Sequence, residues 1–288
     1  MAGEDATVAA TAAKNILAME TKLATVSRKL EDLRDPYKNY NKMAVADLTK
    51  MAANIDWPAY LNNIGVKSVD SVIVGQPEFF KGLNEVLTKT PISDLKSYVK
   101  FNLISDLSGV LPDAYGIEAF NFSKLFSGAK ARKPRWKRVI QMEEDAMGEM
   151  LGQLYVKEFF NETAKKRYTN MVEDIRAALK DRIAKLSWMG DSTKQKAYAK
   201  LAAIKSKVGY PDKWKDFSAM EIGKESFAKN YMNSRLWWHN YNYNKLGKPV
   251  DRDEWDIYPQ TYNAYYNPSN NEIVLPAGIF TVPGYRDE

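Results

Sequence analysis

Cysteine is absent from this sequence, and histidine occurs once, at His239. Without cysteine there is no disulfide and no thiolate metal ligand, and a cysteine-free chain suits oxidising and reducing compartments alike. With one histidine, a His-x-x-x-His helix pair is impossible, and a tetrahedral zinc site would lack the two or three His or Cys ligands it draws on. A Ser-His-Asp triad would have to use His239, yet no Gly-x-Ser-x-Gly elbow and no Gly-rich phosphate loop supports one. Trp237, Trp238, Tyr241 and Tyr243 crowd this histidine and mark it as structural. No run approaches the ~20 apolar residues of a membrane-spanning helix. The opening MAGEDATVAATAAK lacks the basic start and apolar stretch of a signal peptide. Charge is also nearly balanced: 42 Lys+Arg against 36 Asp+Glu leave +6, too small an excess to argue for a partner.

What is present is helical periodicity. A hydrophobic fraction of 45% over 288 residues can build a substantial core in one large domain or two ordinary ones. Ile16, Met19, Leu23, Val26, Leu30 and Leu33 recur at steps of three and four, predicting one long amphipathic helix closed by Pro36. Thr90-Pro91 reads as an N-cap and first helical residue, opening a helix through Leu95, Tyr98, Val99 and Leu103. Met147, Leu151 and Leu154 mark another helix, and Met171, Ile175, Leu179, Ile183 and Leu186 a further one. Asp191 or Ser192 caps the next, expected to run through Tyr198, Leu201 and Ile204 until Gly209-Tyr210-Pro211 stops it. These stripes are expected to be core.

Two charged runs invite chemistry and do not earn it. Lys130, Arg132, Lys133, Arg135, Lys137 and Arg138 surround Trp136, as a phosphate-backbone reader would want, but a solvated connection entering a helix explains them better. No nucleic-acid partner is assigned. Glu143, Glu144 and Asp145 are adjacent, so on a helix they point in different directions and cannot face one another across a cleft.

Near Lys248-Pro249 the texture changes. Gly247, Pro249 and the charged stretch 251–254 read as a linker, after which period-2 alternation takes over. Tyr262, Ala264 and Tyr266 would face one way, Asn263 and Tyr265 the other; Asn267-Pro268-Ser269-Asn270 is a turn, and Glu272 to Leu275 a return strand. On the residues alone this is a hairpin, either an ordinary one with stacked tyrosines or an edge used for pairing.

NAYYNPSNNEIVLPAGIF, residues 263–280, resembles the Asn-Ala-aromatic-Tyr … Pro-Ala-Gly-Ile segment of the neprilysin family of zinc metallopeptidases, which includes endothelin-converting enzymes and bacterial endopeptidase O. Residues 135–160, 186–212, 30–43 and 250–258 resemble the same family in order and spacing, so the likeness covers nearly the whole chain. It implies a mainly α fold: a multi-helix lid domain over the substrate chamber (1–247), a linker (248–254), and a β-hairpin that begins a thermolysin-like catalytic domain (255–288), incomplete here. It implies zinc as cofactor, but the His-Glu-x-x-His motif that follows the Pro-Ala-Gly-Ile segment in the family, and the later Glu ligand, are not in this chain, so catalytic and metal residues are expected to be none. Substrate-binding residues carry over as Asn263 through its side-chain amide, Ala264 through its backbone, and the adjoining Tyr265. After Ile279 the text Phe280-Thr281-Val282-Pro283-Gly284-Tyr285 departs from the Gln-Pro-Pro-Phe-Phe of many relatives.

The implied function is a segment of a zinc metalloendopeptidase, inactive without a catalytic portion, acting on peptide substrates in an extracytoplasmic setting. A separate chain carrying the catalytic half is a candidate partner. Asn121-Phe122-Ser123 and Asn161-Glu162-Thr163 are glycosylation sequons, meaningful only in a eukaryotic secretory setting. The alternative is a non-catalytic helical module that binds peptides or proteins.

Overall fold

The computed structural model describes residues 3–281, so Val282 to Tyr285 lie outside the described residues. The fold is mainly α, with eleven α-helices and two small sheets among the described residues. Two compact units divide it: one holds the chain up to Arg132 with 225–229 and 239–244, the other 133–224, 230–238 and the chain from Lys245 onward.

The first unit runs α1 (Ala6–Val26), β1 (Lys42–Ala44), α2 (Val45–Met51), α3 (Trp57–Asn63), β2 (Ser71–Ile73), α4 (Pro77–Lys89), α5 (Ile92–Leu107) and α6 (Asp113–Ser127). Asp5 starts α1 by accepting the Thr7 N–H at 2.8 Å, the usual relief for a helix's unpaired first donors. Leu48, Ala52, Trp57 and Val74 form the core, with the Trp57 ring edge-on to Phe80 and its indole N–H donating to Ala52 O at 3.0 Å. A short antiparallel ladder of β1 and β2 closes one side.

The expected long first helix stops early. α1 ends at Val26, Ser27 turns extended with its hydroxyl donating to Leu23 O at 2.9 Å, and the Arg28 N–H is taken by Gln76 Oε1 at 2.9 Å. Arg28 is the reason: its guanidinium binds Glu78 and donates to Lys38 O, Asn39 Oδ1 and Gly75 O at 2.8–3.0 Å. Those acceptors are distant in sequence, and reaching them pulls the chain out of the helix. Leu30 and Leu33, which continue the stripe, are left 78% and 40% exposed.

The second unit runs α7 (Arg135–Phe159), α8 (Glu162–Ala184), α9 (Asp191–Ala202), β3 (Lys205–Gly209), β4 (Tyr265–Asn267), β5 (Glu272–Pro276) and α11 (Ala277–Phe280); α10 (Phe227–Tyr243) has residues in both units. Val156, Phe160, Ala164 and Ala277 are its core, surrounded by Tyr168, Tyr210, Trp214 and Phe280. Tyr168 stacks on Phe280 with centroids 4.0 Å apart, so the terminal helix is locked onto α8.

Two expectations are corrected here. The helix from Asp191 ends at Ala202, and the residues up to Gly209, where it was expected to stop, form strand β3 (Lys205–Gly209), hydrogen-bonded to a strand far along the chain. The helical stripes are also not uniformly core. Ile16, Met19 and Leu201 are buried, whereas Val99, Leu103, Leu154, Ile175 and Leu179 are exposed. The chain's accessible surface is 20,331 Å². A folded monomer of 32.8 kDa is expected to show about 12,500 Å², and two separate folded halves about 15,000 Å². Much apolar surface is left exposed, Leu125, Phe126 and Trp188 among it.

Candidate functional site

The terminal hairpin is built from local chemistry. Asn267 Oδ1 accepts the backbone N–H of Ser269 at 3.0 Å and of Asn270 at 3.4 Å, an Asx turn, and Asn271 takes the left-handed φ of +48° that asparagine tolerates. β4 then pairs antiparallel with β5, Tyr265 opposite Val274 and Asn267 opposite Glu272. β5 pairs parallel with β3, Lys205 opposite Glu272 and Gly209 opposite Pro276. The order β3-β5-β4 leaves β4 at the sheet edge.

Beneath the hairpin lies a buried ion pair. Glu272 and Lys207 side chains are 1% and 3% exposed, with Lys207 Nζ 2.8 Å from Glu272 Oε2 and 2.5 Å from Glu254 O. Isolated, either charge would be costly in such a place; paired and hydrogen-bonded, both are tolerated. Tyr265 reaches the same cluster: its hydroxyl donates to Glu272 Oε1 at 3.5 Å and accepts the Asp256 N–H at 3.2 Å. Burial pushes the Tyr265 hydroxyl up to about 12, with the negative charges of Asp256 and Glu272 adding to it.

The stretch before β4 is seated on α7. That helix breaks its regular geometry at Met147 (φ −146°, ψ 39°), where Ala146 O accepts the Trp238 indole N–H at 2.9 Å and Gly148 O accepts Gln260 Nε2 at 3.0 Å. Gly148 and Gly152 lie one turn apart and have no Cβ to keep the Tyr258 ring and Pro259 away. Gln260 Nε2 also donates to Glu144 Oε1 at 3.1 Å, and the Gly278 N–H donates to Pro259 O at 2.7 Å.

Between this seat and β4 sit the residues singled out from the sequence. Asn263 is exposed; its N–H donates to Thr261 O at 2.9 Å and its Oδ1 accepts the Ala264 N–H at 2.8 Å. Ala264 and Tyr265 are half-buried. The expected alternation holds for only three residues, because β4 begins at Tyr265 and Asn263 and Ala264 precede it. Sequence reading missed Lys207, Glu272, Gln260, Gly148 and Gly152. Lys207 stands between Ser206 and Val208 in what reads as the tail of a helix, so no periodicity pointed inward.

His239 belongs to the first unit: its Nε2 donates to Ile64 O at 2.9 Å and its ring stacks on Tyr243 with centroids 4.2 Å apart. Among the described residues no group of three or more His, Cys, Asp and Glu side chains could hold a metal ion. The described side chains therefore do not fit a zinc centre, and no chemical step can be assigned through one here. No helix among the described residues is long and apolar enough to cross a membrane.

The family model for Peptidase family M13 matches residues 1–211. The chain belongs to peptidase family M13. Within M13-related sequences, it is 28% identical to an endothelin-converting enzyme homolog of Locusta migratoria over 99% of this chain and 42% of that protein. It is 29% identical to human endothelin-converting enzyme 1 over 94% of this chain and 37% of that protein. Among solved structures it resembles the Mycobacterium tuberculosis zinc metalloprotease Zmp1 in complex with inhibitor, at 34% identity and a TM-score of 0.88 over 99% of this chain and 43% of that one. PepO from Lactobacillus rhamnosis shares the fold, at 22% identity and a TM-score of 0.89 over 99% of this chain and 45% of that one. The chain thus spans about two fifths of the length of the M13 relatives it matches. The neprilysin-type resemblance and the mainly α architecture are borne out by these matches.

Proposed function

We propose that this chain is a segment of a zinc-dependent metalloendopeptidase that cleaves peptides, contributing the helical lid and a substrate-aligning edge. In this reading residues 1–247 are the lid region, 248–254 the linker, and 255–288 the first edge strands of the catalytic portion. Zinc and its ligands belong to that catalytic portion, carried in the same polypeptide or in a separate chain, and the setting is extracytoplasmic. The 20,331 Å² of accessible surface, far above what two folded halves of this mass would show, supports a further portion packing against it.

The observation that carries the aligning role is the position of Asn263 and Ala264 at the head of β4, one of the two outer strands of its sheet. An extended peptide can add to such an edge through backbone hydrogen bonds. The Asn263 amide offers both a donor and an acceptor, the complement of one peptide unit. To accept a substrate it exchanges its present bond to the Ala264 N–H for one to the peptide.

The test is kcat/KM on one peptide for the assembled peptidase with wild-type sequence, Asn263→Ala and Ala264→Ser, with zinc quantified in each. Leaving substrate groups unpaired in a closed site costs ~1–3 kcal/mol, or roughly tenfold to a hundredfold in kcat/KM. Zinc content stays constant and Ala264→Ser loses much less. Full activity of Asn263→Ala removes the aligning role. The second reading, a non-catalytic helical module that binds peptides or proteins, draws on the lack of a metal-holding group among the described residues. A coding sequence continuing into His-Glu-x-x-His, or a companion chain bearing it, decides against that module.

A further inference from the structure

The geometry points to Tyr265, Glu272 and Lys207 as positioning residues that hold Asn263 and Ala264 in place at the substrate edge, an inference that rests on the aligning role proposed above. The segment carrying Asn263 is fixed at two ends. Upstream, Pro259 O is bound by the Gly278 N–H and Gln260 is tied to α7 through Gly148 O and Glu144. Downstream, β4 contributes only three ladder pairs, too short a strand to hold its own head firmly. The hold there is the Tyr265 hydroxyl, which accepts the Asp256 N–H at 3.2 Å and makes a long contact of 3.5 Å to Glu272 Oε1. Residues 261–264 are suspended between these two anchors.

Glu272 can serve as that anchor because Lys207 orients it, Nζ lying 2.8 Å from Oε2. Lys207 Nζ occupies Oε2, leaving Oε1 for the tyrosine, and is itself oriented by Glu254 O. The relay therefore joins three strands of one sheet: Lys207 on β3, Glu272 on β5 and Tyr265 on β4. None of the three needs to touch substrate. Tyr265→Phe removes one oxygen, preserves the packed ring, and releases the head of β4 without unfolding the sheet. Glu272→Gln keeps the shape but weakens the hold on both partners.

A double-mutant design separates positioning from plain stability. In the assembled peptidase, kcat/KM on one peptide is measured for Tyr265→Phe, Glu272→Gln, Asn263→Ala and the two doubles with Asn263→Ala. Tyr265→Phe and Glu272→Gln are each expected to lose three- to tenfold in the wild-type background and clearly less once Asn263 is Ala, because only the Ala264 backbone is then left for them to position. Hydrogen exchange of the peptide covering 261–267 should quicken in Tyr265→Phe while that of 205–209 stays unchanged. If Glu272→Gln does not fold, Tyr265→Phe decides alone. Full activity of Tyr265→Phe beside a deficient Asn263→Ala overturns the positioning role and spares the aligning role. The same loss repeated on the Asn263→Ala background also overturns it, since a structural defect adds independently. A fully active Asn263→Ala removes both.

Discussion

Gly278→Ala is the sharpest probe of how the terminal segment is seated. A Cβ at position 278 would stand 2.6 Å from Gln260 O, 2.8 Å from Gln260 C and 2.8 Å from Thr261 O. All three are backbone atoms, so no side chain can swing aside. The 259–261 stretch must move off α11, and the bond from the Gly278 N–H to Pro259 O, 2.7 Å long, goes with it. Overpacking of this kind costs ~1–3 kcal/mol and a lost hydrogen bond about 1 kcal/mol more, giving roughly 3 kcal/mol in all. With a urea slope of about 2 kcal/mol per M, the unfolding midpoint falls by roughly 1.5 M. Tryptophan fluorescence is the suitable probe, because six of the seven tryptophans lie in the same unit as Gly278. The control is Gly190→Ala, also in that unit, where an added Cβ meets nothing within 4 Å. As Gly190 occupies an N-cap, the change there costs about 0.5–1 kcal/mol. Equal destabilisation by the two substitutions would refute the close approach between Gly278 and residues 260–261.

Three further outcomes are expected. Tyr265 holds its proton up to about 12, while an unfolded tyrosine releases it near 10, so its contribution to stability is complete below about pH 10 and disappears as pH rises towards 12. Burial likewise pushes Tyr210 and Tyr258 up, and Tyr265→Phe should make the alkaline fall in the denaturation midpoint shallower; an unchanged fall would contradict this. Arg28→Ala strands the carbonyl of Gly75, leaves Lys38 O to the Asn41 amide alone and loosens the first unit, read as faster hydrogen exchange in 45–51 and 77–89; unaltered exchange would show that Arg28 is not the organiser of that unit. The purified 288-residue chain should bind no stoichiometric catalytic zinc, since three protein ligands are needed and it has one histidine, and about one tightly held zinc with peptide hydrolysis would overturn the reading of this chain as a segment.

Local rules written in neighbouring residues were legible in the sequence. The helix of Ile16 and Met19, the helices around Leu151 and Ile175, and the hairpin turn at Asn267-Pro268-Ser269-Asn270 all depend on residues within a turn or two of each other, and all are present. The family likeness was legible too, because the motif at 263–280 is contiguous. Which side of each helix is buried was not. Ile175 and Leu179 repeat at helical spacing yet stay exposed, since a stripe states only that a face is apolar and not that a partner within the chain covers it. The end of α1 was decided by the acceptors around Arg28, up to 50 residues away. The site depended most on tertiary structure. β3 becomes a strand only because β5 lies beside it, and Lys207 and Glu272, 65 residues apart, are buried charges only because that parallel pairing brings them together. A charge in a sequence reads as surface until its counter-charge is placed, and placing it takes the fold.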